Sequence, residues 1–468
     1  MVSWTAPAVT RTDEPFTGPE RGILDGFLDW HRSTLTCCGS ASTGSRAPDP
    51  FHCFSVLLAR IVALDAGSGH SNTGGMDSSR TADDILRAAE DLVPLLRQRA
   101  AATDEARRIE NDTYQRLLDA GFLHILKPKK YGGLELSEHE HAKVAMTLAR
   151  GCASTAWVFS ILSSDNMAIV AYPERVQEEI WGANPYATLA GNTTLNPKAR
   201  ADRVPGGYRL TGSWGFCSGS DFSEWLIFNA PAGDDGEGHM FIMPREDATT
   251  VDDWFPTGMR GTGSRTMAVD DVFVPDHRVQ ATRDTVQKLQ ERRALHPTFD
   301  TMYAHWPSSG RFTFAATAVG AAWGAVEHFA STLASSTRVA TALGGTVRLA
   351  DQDYVATEFA EVAADVQMAM LLIERRSFEA SERARQHRTP TEADLAREQR
   401  DNAHVTRVAL RSAQRIFSLV GAKAGNPRHP VSLAKRDIEM ASHHVTLNWR
   451  QCAVRYLNAT TESFGAPG

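Results

Sequence analysis

The chain has 468 residues, 42% hydrophobic and 22% charged, with a formal net charge of −7. This balance suits an ordinary globular protein and leaves no basic surplus for neutralising phosphates, which excludes broad nucleic-acid or anionic-membrane binding. No apolar run approaches the roughly 20 residues that span a bilayer. The six cysteines (Cys37, Cys38, Cys53, Cys152, Cys217, Cys452) form no CxxC pair, as expected of a reducing, cytoplasmic setting. Residues 1–75 read as a flexible or non-native extension: they carry Pro, Gly, Ser and Thr clusters and no lysine. The apolar piece "FHCFSVLLARIVAL" lacks the basic leader and cleavage site of a signal peptide. Met76 is a candidate native start, because Thr81 and Asp84 soon follow with capping-box spacing.

Residues 76–184 predict an N-terminal helical domain, with apolar residues returning every three or four positions in "ADDILRAAEDLVPLLRQRA", "IENDTYQRLLDAGFLHIL" and "SEHEHAKVAMTLARGCASTAWVFSIL". Pro128 and the Gly132-Gly133 pair mark a loop between them. His139, Glu140 and His141 lack HExxH spacing and read as a solvated helix face, so no metal site is predicted. Residues 185–285 change to short β-rich runs and predict a central β domain, a small sheet or barrel, with "PGG" as a hairpin turn. Residues 286–468 predict a C-terminal four-helix bundle. Its first long helix carries Gly and Ala for close helix contact. Thr389, Pro390 and Glu392 predict a cap, a first helical proline and a capping-box partner, and a last helix is expected over 432–463. The fold class is therefore mainly α with a central β domain.

The segment "GSWGFCSGSD" (212–221) sets two aromatic rings and a thiol among residues that usually make turns. Alone it is a strand end. Its company is more specific: "PKKYGG" precedes it, and "GMRGTGSRTMAVDDVFVP" (258–275), "GRFTFAATAVGAAWGAVEH" (310–328) and "LVGAKAGNPRHPVSLAKRDIEMASHH" (419–444) follow. In order and spacing this set resembles the acyl-CoA dehydrogenase superfamily over roughly 80–465. The nearer likeness is to its flavin-dependent monooxygenase branch, the oxygenase components of two-component hydroxylases.

The resemblance implies reduced FMN or FAD supplied by a partner flavin reductase, O2 as co-substrate through a C4a-hydroperoxyflavin, and a homotetramer. Implied cofactor residues are Phe216, Cys217, Ser218 and Gly219 along the flavin ring, with Ser218 and the neighbouring backbone at its N5 edge. Asn192 and Thr193 line flavin and substrate, Arg311 meets flavin phosphate, and Gly421 approaches a neighbouring subunit's cofactor. Dehydrogenases of the family place a glutamate shortly after an "RD" like Arg436-Asp437. Here His444 holds that place and Glu439 comes too early. An unperturbed imidazole titrates near neutral pH, which suits taking a phenol proton or bonding a flavin peroxide. Aromatic hydroxylases of the branch often carry a second histidine after the segment matching "CASTAW"; this chain has Ser164 and Asp165 as substitutes. No GxGxxG follows a predicted strand, so reduced flavin comes from a separate reductase. The expected substrate is a phenolic or polycyclic, polyketide-like aromatic. The alternatives are N-oxygenation of an amine or amino sugar, an acyl-CoA dehydrogenase, and a flavin-free binding scaffold.

Overall fold

The computed structural model describes residues 80–233, 236–304, 312–341 and 344–463. The N-terminal extension with Met76, and Arg311, lie outside the described residues. Helix α1 (Ala82–Ala106) begins at the predicted cap: Thr81 Oγ1 accepts from the Asp84 backbone N–H at 3.2 Å, and the Asp84 carboxylate accepts from the Thr81 N–H at 3.0 Å. Helix α2 (Asn111–Asp119) stops sooner than its periodicity suggests, because Gly121 takes φ 79° and starts a 3-10 turn at Phe122–His124. Helices α3 (Glu138–Ala149) and α4 (Ala153–Ser164) part at Gly151, where an added Cβ would lie 2.7 Å from the Val93 carbonyl. Short helices α5 (Asn166–Val170) and α6 (Glu174–Gln177) follow.

The 139–141 segment is not the solvated face that its charge suggests. His139 Nδ1 sits 3.0 Å from Ser377 Oγ, Glu140 closes a capping box on Ser137, and His141 is buried edge-on to Phe159. Long-range packing against the bundle overrides the local polarity. Among the described residues no cluster of metal-ligating side chains occurs.

The central region forms two four-stranded sheets. One has the order β1 (Leu189–Leu195), β4 (Trp225–Pro231), β5 (Gly238–Pro244), β8 (Val279–Ala281), with β1 parallel to β4; the other runs β2 (Arg200–Val204), β3 (Gly207–Trp214), β7 (Thr266–Pro275), β6 (Thr249–Val251), all antiparallel. Val204 pairs with Gly207 across Pro205-Gly206, as "PGG" predicted. Trp214 stacks on Phe228 at 4.4 Å and, with Leu210, Phe241 and Met267, fills a core separate from that of the helices.

After α7 (Thr285–Arg292), helix α8 (Thr313–Leu333) runs through the core of the helical half. A Cβ on Gly320 would lie 2.0 Å from the Met146 carbonyl, and one on Gly324 2.4 Å from the Arg150 carbonyl, so these glycines set the close approach of α3. Helices α9 (Asp353–Arg385), α10 (Glu392–Val420) and α11 (Pro430–Ser442) complete the bundle, and α12 (Trp449–Ser463) packs on α10.

Three local expectations change here. A hairpin, β9 (Thr337–Thr341) with β10 (Gly344–Arg348), interrupts the helices, with Gly344 paired to Thr341. The α10 cap is Thr391 with Asp394, two residues after Thr389, which leaves Glu392 free to pair with Arg455. The last helix is two helices, broken over 443–448 with His444 in the break.

Candidate active site

Helix α4 is the wall against which the separate sequence segments meet. Near its start, Ser154 abuts Gly261, where an added Cβ would come within 2.9 Å of Ser154 Cβ. One turn on, Trp157 stacks on Phe314 of α8 at 4.2 Å and 12°. Further along, Leu162 lies 3.1 Å from the position a Cβ would take on Gly219. The "CASTAW", 216–219, 258–264 and 310–328 segments thus converge on one helix.

The 216–219 loop follows β3. Phe216 holds φ 60°, a left-handed conformation that costs a non-glycine residue about 1–2 kcal/mol, and its ring is 67% exposed. Its ring meets Trp254 edge-on at 5.7 Å. Such strain with an uncovered aromatic marks a surface awaiting a flat partner. Behind Phe216 the loop is tied down. Asn192 Nδ2 donates to the Gly215 carbonyl at 2.9 Å, so β1 and the loop are joined. The Cys217 thiol donates to the Trp214 carbonyl, and burial pushes its pKa up to about 12, which makes it a packing group. The Cys217, Ser218 and Gly219 backbone N–H groups donate to the Arg265, Phe216 and Thr262 carbonyls. The backbone donors expected at the flavin edge are therefore committed inside the protein. The Ser218 hydroxyl remains, 2.6 Å from Ser264 Oγ.

The 258–264 loop is in turn fixed to α11. Asp437 Oδ1 accepts from the Met259 N–H at 2.6 Å, and an added Cβ on Gly258 would lie 2.0 Å from the Arg436 carbonyl. The "RD" pair therefore serves as a clamp.

His444 stands edge-on to both Phe314 (4.6 Å, 61°) and Trp157 (5.5 Å, 70°). Its Nδ1 accepts from the Thr446 backbone N–H at 3.3 Å. The Thr446 hydroxyl, 2.8 Å from the same nitrogen, can donate or accept, so the neutral ring can carry its hydrogen on either nitrogen. Burial lowers its pKa to about 4. Near neutral pH this site offers a neutral imidazole beside stacked aromatic rings, a weaker base than an unperturbed imidazole. Glu439 is exposed and lies 3.6 Å from Lys435, so no glutamate replaces it.

At the far end of α4, the Ser164 hydroxyl donates back to the Ile161 carbonyl, whereas the buried Ser163 hydroxyl has no partner among the described residues. Asp165 is 6% exposed, and burial alone raises its pKa to about 8. The Thr193 carbonyl accepts from Asn229, beside Asn192. Gly421 stands apart from these groups: it caps α10 with φ 72°, and an added Cβ would lie 3.0 Å from Arg338. Trp157, Phe314, Thr262 and Ser264 complete the constellation; their fold-level partners carry no local sequence signal.

Two helical domains around a paired β unit, with an exposed aromatic seat beside the bundle, define an acyl-CoA dehydrogenase fold. The acyl-CoA dehydrogenase N-terminal domain profile matches residues 83–182 and the C-terminal domain profile residues 312–449. The flavin-dependent monooxygenase oxygenase subunit HsaA of Mycobacterium tuberculosis is 32% identical over 400 residues, 83% of this chain and 97% of that protein. The FADH2-dependent resorcinol hydroxylase oxygenase component of a Rhizobium species is 29% identical over 378 residues, 76% of this chain and 89% of the relative. The crystal structure of the M. tuberculosis HsaA monooxygenase superposes with a TM-score of 0.74 at 29% identity, covering 83% of this chain and 98% of the other. The chain belongs to the acyl-CoA dehydrogenase superfamily, in its flavin-dependent monooxygenase branch. It is an oxygenase component that uses reduced flavin from a partner reductase.

Proposed function

We propose that the protein hydroxylates a phenolic or polycyclic, polyketide-like aromatic. The observation that carries this is the His444 box: a neutral imidazole set edge-on to the mutually stacked Trp157 and Phe314 rings, with no carboxylate in the position a dehydrogenase needs. The residues of the 216–219 loop fit a flavin, since an uncovered aromatic suits a flat ring and a fixed hydroxyl suits its polar edge. Phe216, Ser218 and Gly219 would hold the ring, with Asn192 and Thr193 at the rim. When bound, reduced flavin supplies the electrons that activate O2 for transfer of one oxygen atom. Trp157 and Phe314 orient an aromatic substrate and exclude water. In its Nε2–H tautomer, with Nδ1 accepting from Thr446, His444 donates to the substrate oxygen and so stabilises charge developing there. Asp165, protonated near neutral pH, is a second proton donor with no competing partner among the described residues.

Asp165 also favours a second reading, N-oxygenation of an amine. A buried carboxyl without a counter-charge would accept an ammonium group. We further assign the protein to the cytoplasm as a homotetramer, with Gly421 facing a neighbouring copy. The exposed apolar stripe of Met368, Leu371 and Phe378 on α9 supports assembly. The free, buried thiols of Cys152, Cys217 and Cys452 support a reducing compartment.

The test mixes protein with reduced FMN or FAD, admits 18O2, and scores phenols and amines by mass. A label on phenol carbon supports the first reading; a label on nitrogen supports the second. Flavin reoxidation without labelled product from either panel refutes both.

A further inference from the structure

The hydroxyls behind the flavin seat form a chain whose direction can be read from donor counting. Ser218 Oγ lies 2.6 Å from Ser264 Oγ, Ser264 Oγ lies 2.6 Å from Thr262 Oγ1, and Thr262 Oγ1 lies 2.8 Å from the Met259 carbonyl. A carbonyl only accepts, so Thr262 spends its one hydrogen there. Thr262 then accepts from Ser264, and Ser264 in turn accepts from Ser218. The three hydroxyls are buried, so water does not scramble this order. The terminal carbonyl is held still, because the Met259 N–H donates to Asp437 and Gly258 is wedged against the Arg436 carbonyl.

We infer that Ser264 and Thr262 are positioning residues that turn the Ser218 hydrogen inward, so that the seat presents only lone pairs and selects the reduced flavin. The inference rests on the reading that places Ser218 at the flavin N5 edge. Reduced flavin carries a hydrogen on N5 and matches an acceptor. Oxidised flavin carries a lone pair there, and two acceptors facing each other leave both unpaired. An oxygenase fed by a separate reductase gains from this polarity, since it captures the reduced form and releases the spent one.

Anaerobic titrations with reduced and oxidised FMN and FAD test the inference through the ratio of the two dissociation constants. The wild type is expected to favour the reduced form by at least about tenfold, equal to about 1.4 kcal/mol. Ser264→Ala removes the acceptor and frees the Ser218 hydrogen to turn outward; the ratio should fall to within about threefold of unity, chiefly because oxidised flavin binds better. Thr262→Val should act likewise through Ser264, while Ser264→Thr should restore the wild-type ratio. Circular dichroism identifies any variant that fails to fold, and the pair of independent variants keeps the comparison intact. An unchanged ratio in folded Ser264→Ala and Thr262→Val, with Ser218→Ala still shifting it, overturns the hydroxyl chain and spares the seat. If Ser218→Ala leaves both affinities unchanged, the seat itself is misplaced.

Discussion

Replacing Asp165 with Asn should stabilise the protein in a way that depends on pH. The carboxyl ionises near 3.8 in an unfolded chain and near 8 in the fold, because burial penalises its charge and no described group compensates. A raised folded pKa means that the stability this group contributes is complete below pH 3.8 and is lost as pH rises towards 8. At pH 7 the mismatch spans about three units, and at about 1.4 kcal/mol per unit its ceiling is about 4 kcal/mol. Local relaxation should leave about 2 kcal/mol, or roughly 2–4 °C in melting temperature. Asparagine keeps the shape and has no proton to lose. Melting of both proteins from pH 3 to 8.5 should give curves that meet near pH 3 and diverge steadily from about pH 4 towards pH 8. The buried neutral histidines contribute equally to both and cancel. A difference that is flat with pH, or a variant less stable at pH 8, would show that Asp165 is ionised and paired. It could not then serve as a proton donor.

His444→Ala should reduce product formation by about 10²–10³-fold while reduced-flavin affinity stays within threefold; equal losses would make the residue structural. His444→Gln, which restores an N–H donor, should recover part of that loss, and no recovery would mean that a base is required. Gly320→Ala should cost about 2 kcal/mol in urea unfolding, since the new Cβ meets backbone rather than a flexible side chain, and a neutral result would refute the close α3–α8 contact. If the proposed homotetramer forms through α9, Leu371→Glu should dissociate it in light scattering at unchanged helical content; a tetramer that survives would move the interface off α9.

Features governed by neighbouring residues were legible in the sequence. Thr81 and Asp84 cap α1, "PGG" turns β2 into β3, and Gly320 and Gly324 admit α3, each through local backbone chemistry. The family resemblance, carried by ordered segments, pointed to the 216–219 loop and His444, which the fold places beside Trp254 and beside the Trp157–Phe314 pair. What stayed hidden depends on partners far along the chain. Two capping frames overlap at 389–394, Thr389 with Glu392 and Thr391 with Asp394; the helix uses the second, and Glu392 pairs with the distant Arg455. The imidazole pKa of His444 follows from rings brought by α4 and α8. The committed backbone donors at 217–219 follow from carbonyls in the 262–265 loop. No periodicity in either segment encodes those pairings.

Several groups that cost stability lie along α4 and the loops it supports. Phe216 is held left-handed and uncovered, Asp165 is buried without a described counter-charge, and the Ser163 hydroxyl is buried without a described partner. Asp437 is pushed up to about 7 by burial even while it clamps Met259. In the bundle two buried pairs are closed, Arg383 with Glu398 and Arg376 with Asp401, both within 2.6 Å, whereas buried Lys127 donates only to the Pro185 carbonyl among the described residues. A bundle that satisfies its own ion pairs could have placed Asn or Leu at 165 and Gly at 216 at lower cost. These unfavourable choices cluster near the proposed seat, as expected where a ligand and a reacting proton would occupy what folding leaves unsatisfied.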